Sequence, residues 1–112
     1  MSHPQFMLFR GKRGGQYYFN LTAKNGQVIL QSQGYKSKAS AKNGIKSVKT
    51  SSKRKTLFEA KRASNGKHYF VLTSPNGQTV GKSQMYDSLS GRSNGMRSVT
   101  GNAGRATIID ET

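Results

Sequence analysis

The sequence predicts an α+β protein built as two tandem β-β-β-α-β repeats. Three observations carry that expectation. The chain aligns with itself at a shift of 51 residues. Each half holds an alternating apolar/polar stretch running into Asn-Gly. Each half then carries apolar residues at helical spacing.

Composition alone warns of disorder, and the repeat answers it. Leu, Ile, Val and Phe make up 20 of 112 residues, under the roughly 20% that, with high net charge, marks unfolded chains. Residues 6–49 nevertheless align with 57–100 without a gap, with 16 of 44 positions identical. The matches fall on aromatic, aliphatic, Gly and Asn positions, where composition bias would scatter them among Lys and Ser. Two copies of one folding unit are therefore expected, 1–55 and 56–112, packed as one compact pseudo-symmetric domain.

Within the first unit, Phe6 to Arg10 reads as a short strand and Gly11 to Gly15 as a turn. Gln16 to Ala23 alternates, with Tyr17, Phe19 and Leu21 on one face and Tyr18, Asn20 and Thr22 on the other. Asn25-Gly26 predicts a two-residue type I′ hairpin. Centred there, Leu21 faces Leu30, Ala23 faces Val28 and Phe19 faces Ser32, while Thr22 and Ile29 share the half-polar opposite face. Ser37 fits a helix N-cap. Residues 38–49 follow as helix, with Ala41, Ile45 and Val48 on one stripe. Gly44 and Gly95 sit inside the two helices, which implies packing too close for a side chain; the alternative is that Asn43-Gly44 ends the helix early. Thr107-Ile108-Ile109 reads as a last strand, whose place in the first unit is taken by Thr56 to Lys61. One helix on one sheet of this size makes an insecure core. Two units side by side, trading C-terminal strands, bury more.

The net charge is +15 and lopsided: 1–55 hold twelve Lys or Arg and no acid, whereas 56–112 hold seven against Glu59, Asp87, Asp110 and Glu111. Such a first half attracts polyanions. The residues expected to contact them are Lys12, Arg13, Lys42, Lys46, Lys49, Lys53, Arg54 and Lys55, with Tyr17 or Tyr18 available to stack on bases if exposed. The alternative is a structural or protein-interaction module acting through a sheet edge or the polar sheet face.

Chemistry is poorly supplied. The absence of cysteine removes disulfides and thiolate sites and fits a reducing compartment, so a cytoplasmic location is expected. The longest apolar run is Val28-Ile29-Leu30, too short for a membrane span. His3 lies near the terminus and His68 stands where the other unit has Tyr17. Glu59, opposite Leu8, and Asp87, opposite Lys36, have no counterpart in the other copy. Asp87 is taken as helix-start electrostatics. No carboxylate is repeated, and Gly11 to Gly15 lacks the phosphate-loop pattern. No enzyme activity, catalytic residue, metal or cofactor is expected. The repeated polar set Tyr35, Asn43 and Ser47, with Tyr86, Asn94 and Ser98, suits local packing or a pair of small pockets.

Three segments that occur twice, Asn25 to Ile29 with Ser32 to Ser37 and Asn43 to Val48, and again Asn76 to Val80 with Ser83 to Ser88 and Asn94 to Val99, resemble the YegP-like domain family. That resemblance implies tandem repeats in a single sheet, with helices packed on it and exchanged C-terminal strands. It implies no biochemical function and no site residues. A monomer with internal pseudo-twofold symmetry is expected.

Overall fold

The protein is described by a computed structural model covering residues 3–12 and 15–112. Its elements are β1 (Gln5–Arg10), β2 (Tyr17–Thr22), β3 (Val28–Gln31), α1 (Lys38–Ser51), β4 (Phe58–Arg62), β5 (His68–Thr73), β6 (Thr79–Lys82), α2 (Leu89–Ala103) and β7 (Thr107–Asp110). A short 3-10 turn, Lys55–Leu57, leads into β4. The strands form one sheet in the order β4-β5-β6-β3-β2-β1-β7. The two repeats meet at β3 and β6, where Gln31 pairs with Lys82. These are equivalent positions, so a pseudo-twofold axis passes between them.

Both helices cover one face of the sheet. Phe6, Leu8, Phe19, Leu21 and Leu30 share one buried cluster with Ala41, Ile45 and Val48 of α1, which are fully buried as the helical stripe requires. Phe70, Leu72 and Val99 repeat the arrangement. Burying apolar surface drives this packing. Ser37 Oγ accepts from the Ser40 amide, so the expected N-cap is made, and Ser88 Oγ accepts from the Gly91 amide in the same way in the second repeat.

Hairpin chemistry departs from the type I′ expectation, and the departure moves side chains between faces. Asn25 and Asn76 keep negative φ, while Gly26 and Gly77 take φ of 84° and 89°. Each loop is therefore a three-residue turn closed by a left-handed Gly. The Asn25 carboxamide oxygen accepts from the Gln27 amide at 3.0 Å, which favours Asn there. Ala23 then bonds to Gln27, and Thr22 pairs with Val28, where Ala23 had been expected. Leu21 still pairs with Leu30, so Ile29 is an extra residue in a bulge. The bulge turns Ile29 into the core, not onto the polar face. Val80 does the same in the second repeat.

The two first strands do not correspond at the 51-residue shift. Phe6 pairs with Leu21, and Phe58 pairs with Leu72. The first strands therefore correspond at a shift of 52, and the 51-residue shift resumes after a β4–β5 loop one residue shorter. Phe6 and Phe58 are true counterparts. Each sits edge-on to the next strand's Phe, at 5.8 Å from Phe19 and 5.6 Å from Phe70. Glu59 thus corresponds to Met7, not Leu8.

Strand β7 crosses from the second repeat to run parallel to β1, with Gln5 opposite Thr107 and Leu8 opposite Asp110. This is the traded C-terminal strand. The segment after α1, its counterpart in the first repeat, is β4 itself, which among the described residues pairs on one side only, with β5.

The expected close approach at Gly44 and Gly95 is present, and its cause is an aromatic ring. A Cβ on Gly44 would lie 2.7 Å from Tyr35 Cζ and 3.0 Å from Phe19 Cε2; one on Gly95 would lie 2.6 Å from Tyr86 Cζ. Tyr35 stacks on Phe19 and is tied to Tyr17 by two backbone bonds of 2.8 Å. Tyr86 is held likewise by Phe70 and His68. Burial pushes the Tyr35 phenol above its usual pKa. Neither helix ends at its Asn-Gly.

Candidate polyanion-binding surface

The sequence-predicted cations fall into two places. Lys42, Lys46, Lys49 and Lys53 succeed one another at intervals of four, three and four along α1 and its exit. That spacing keeps them on one ridge. Lys42, Lys46, Lys53, Arg54 and Lys55 are exposed. Lys49 lies half-buried with its ammonium 5.8 Å from the centre of the Phe6 ring, so its stem packs while its charge stays at the surface. Its place in the last turn of α1 also suits the helix dipole.

Lys12 is exposed at the other end of the helix. The β1–β2 hairpin closes at Arg10 opposite Tyr17, and Tyr17 bridges to Tyr35 just before the helix N-cap. A helix of 14 residues separates Lys12 from Lys53 to Lys55 by about 20 Å. Arg13 lies outside the described residues.

The two tyrosines part company. Tyr17 lies on the helix side, with the Arg10 guanidinium 5.5 Å from its ring centre. Tyr18 stacks on Phe9, ring centres 5.7 Å apart, on the face that no helix covers. The α1 ridge and the Tyr18 ring thus point to opposite sides of the sheet, and no single contact uses both.

Few acids counter this charge. Lys38 pairs with Asp110 at 2.6 Å, Lys61 with Glu59 at 3.6 Å and Lys67 with Asp87 at 3.1 Å. Asp87 thus pairs with Lys67 from the position just before the Ser88 N-cap of α2. Lys38, helped by the Thr112 hydroxyl and amide, holds the Asp110 carboxyl well below the usual carboxylate range.

Sequence reasoning missed a second basic surface. Lys24, Arg97 and Arg105 line a hollow of about 450 Å³ between the β2–β3 turn and α2. Arg97 and Arg105 stand where the first repeat has Lys46 and Arg54, so the repeat itself carried that signal. Beside it, Tyr86, Asn94 and Ser98 border an open hollow of about 510 Å³ with Gln84, Asn25 and Gln27. The repeated serines before it have a local duty. Ser32 Oγ accepts from the Phe19 amide and Ser83 Oγ from the Phe70 amide, both at 2.9 Å, where the strand ladders end.

His68 pairs through its backbone with Tyr86, and its Nδ1 is buried without a partner. Tyr35 belongs to the other repeat's bridge, so the two share no pocket. Among the described residues no group of three His, Asp or Glu could hold a metal ion, and no helix is long and apolar enough to cross a membrane.

Fold and surface together define a small α+β tandem-repeat module with a basic helical ridge. The family model for a domain of unknown function, DUF1508, matches twice, over residues 13–59 and 63–110. A UPF0339 protein of Pseudomonas aeruginosa is 47% identical over 100 residues, covering 89% of this chain and 91% of that one. The UPF0339 protein YegP of Yersinia pestis is 44% identical over 99 residues, covering 88% of each. The solution NMR structure of the protein of unknown function yegP from E. coli superposes with a TM-score of 0.93 at 41% identity, covering all of this chain and 96% of that one. A UPF0339 protein from Shewanella oneidensis gives 0.90 at 42% identity, covering 98% and 92%. The chain belongs to this DUF1508, or UPF0339/YegP, family, whose function is unknown.

Proposed function

We propose that this protein is a non-enzymatic module that binds duplex nucleic acid without sequence preference, through phosphates laid along α1. One observation carries the reading. Lys42, Lys46, Lys49, Lys53, Arg54 and Lys55 form a continuous ridge, and among the described residues none has an acidic partner. From Lys42 to Lys53 the ridge advances about 16 Å, the axial rise of about five phosphates on one strand. A duplex is favoured over a single strand because Tyr18 and Phe9, the rings on which free bases would stack, lie on the opposite side of the sheet. Lys12 stands apart and adds general attraction, not a shared contact.

Six contacts give a slope of log affinity against log salt near −5, at about −0.9 per phosphate. Affinity should fall about a thousandfold between ~50 and ~200 mM salt. Fluorescence anisotropy with labelled duplex RNA and DNA of unrelated sequence measures both. Reversing Lys42, Lys46 and Lys53 to Glu should flatten the slope by about three while the circular dichroism spectrum stays unchanged; Lys49 is left in place because it covers Phe6. Binding indifferent to salt, or undiminished in the reversed variant, would overturn the reading.

A further inference from the structure

Among the described residues none pairs with the outer edge of β4, for a reason built into the chain. In the first repeat the outer edge of β1 is occupied by β7, and Leu8 C=O accepts from the Glu111 amide at 2.7 Å. The strand that would close β4 in the same way must follow α1. The chain after α1 is β4 itself, so that place stays empty in the sheet order.

Backbone parity shows which groups face outward. Ala63 N–H donates inward to Lys67 C=O at 2.8 Å, so Lys61 and Glu59 also face β5, and Phe58, Ala60 and Arg62 present their backbone to the open side. The Phe58 N–H is already taken by Lys55 C=O. The open groups are therefore Phe58 C=O and both backbone groups of Ala60 and Arg62. Ala60 is exposed and small, so another backbone can approach it.

We propose that two copies of this chain pair through the outer edges of β4, antiparallel and centred on Ala60, joining their sheets into one. The occupant is chosen by the strand's own charges. With Ala60 opposite Ala60, each Glu59 faces the second copy's Lys61 on the open side of the sheet, twice over. Each Arg62 lies beside the second copy's Phe58 on the helix side. Arg62 N–H donates to that Phe58 C=O and the Ala60 groups bond reciprocally, which uses every open group except Arg62 C=O, left to water at the end of the pairing because Phe58 N–H is taken. Other registers oppose like charges: Lys61 to Lys61 with a slip one way, Glu59 to Glu59 with a slip the other. Five residues a side make a small interface, so the association is weak and depends on concentration. Two bodies of +15 repel, and salt screens that repulsion. Association therefore strengthens with salt, opposite in sign to nucleic-acid binding, and each idea can fail without the other.

Sedimentation velocity from micromolar to millimolar chain, at low and high salt, tests this. Ala60→Pro removes an outward N–H and no bond to β5, so it should leave the fold intact and abolish association. Lys61→Glu lowers the net charge by two, from +15 to +13, easing general repulsion, yet it opposes Glu to Glu and should weaken association about tenfold or more. The double exchange Glu59→Lys with Lys61→Glu restores both the net charge and the opposite pairs, and should restore association. A wild-type chain that stays monomeric at millimolar concentration and high salt would overturn the proposal. So would a folded Ala60→Pro variant that associates normally, or a Lys61→Glu variant that associates more tightly.

Discussion

Gly44 offers a substitution whose sign depends on one ring. Gly→Ala inside a helix should stabilise by about 1 kcal/mol through backbone entropy alone. Here the added methyl would sit 2.7 Å from Tyr35 Cζ and 3.0 Å from Phe19 Cε2. A normal carbon–carbon separation is about 3.5–4.0 Å, so the Tyr35 ring must give way by nearly an ångström. It is poorly free to do so, being stacked on Phe19 and fixed by the Tyr17 bridge. Overpacking of this kind costs about 1–3 kcal/mol. Set against the helix gain, Gly44→Ala should destabilise by about 1 kcal/mol, a fall in Tm of roughly 4 °C for a chain of this size. In a Tyr35→Leu background the phenol end is gone, and the same Gly44→Ala change should stabilise by up to about 1 kcal/mol. Urea unfolding of the four proteins, followed by circular dichroism and compared at constant m, yields a coupling of about 2 kcal/mol. Gly44→Ala that stabilises the wild-type protein, or a coupling below about 0.5 kcal/mol, would refute the packing argument.

Three further outcomes follow from the bulge, the serine bonds and the Lys38–Asp110 pair. Ile29→Ala should cost about 2–4 kcal/mol in urea unfolding because the bulge turns Ile29 into the core, whereas a residue on the polar face would cost well under half that. Ser83→Ala should cost about 1–3 kcal/mol and deprotect the Phe70 amide in hydrogen exchange, since that amide then loses its acceptor. Asp110 should titrate by carboxyl NMR below the ordinary value of about 3.9. Its folded-state pKa is depressed, so its contribution is present above the unfolded value and lost only as pH falls through the lower folded one. In Lys38→Met the midpoint should move back up; a midpoint that stays low would assign the shift to Thr112 instead.

Much of the architecture was legible because duplication presents each element twice. Ser37 and Ser88 cap helices where side-chain chemistry places them, and Phe19 faces Ser32 as the hairpin count requires. The errors share one physical origin, single-residue insertions that leave no mark on composition. A left-handed Gly26 without a left-handed Asn25 lengthens the loop by one, and the bulge at Ile29 takes that residue back. A gap-free self-alignment likewise hid the shorter β4–β5 loop and set Glu59 against the wrong partner. Charge was readable as a sum and, along α1, as a ridge. That Tyr18 faces away from the ridge depended on which side of the sheet the helices chose, a tertiary outcome that alternation alone does not settle.

The pairing of β1 with β7 has a consequence for how the molecule is made. Gln5 emerges early in synthesis, and its parallel neighbour Thr107 comes roughly a hundred residues later. Closing so distant a pair is slow, because the intervening chain must first be ordered. During translation Phe6 and Leu8 would sit on a raw border of nascent sheet until β7 leaves the ribosome. Maturation should therefore finish as one late, latch-like event, and chains interrupted before Thr107 should be the ones that recruit chaperones.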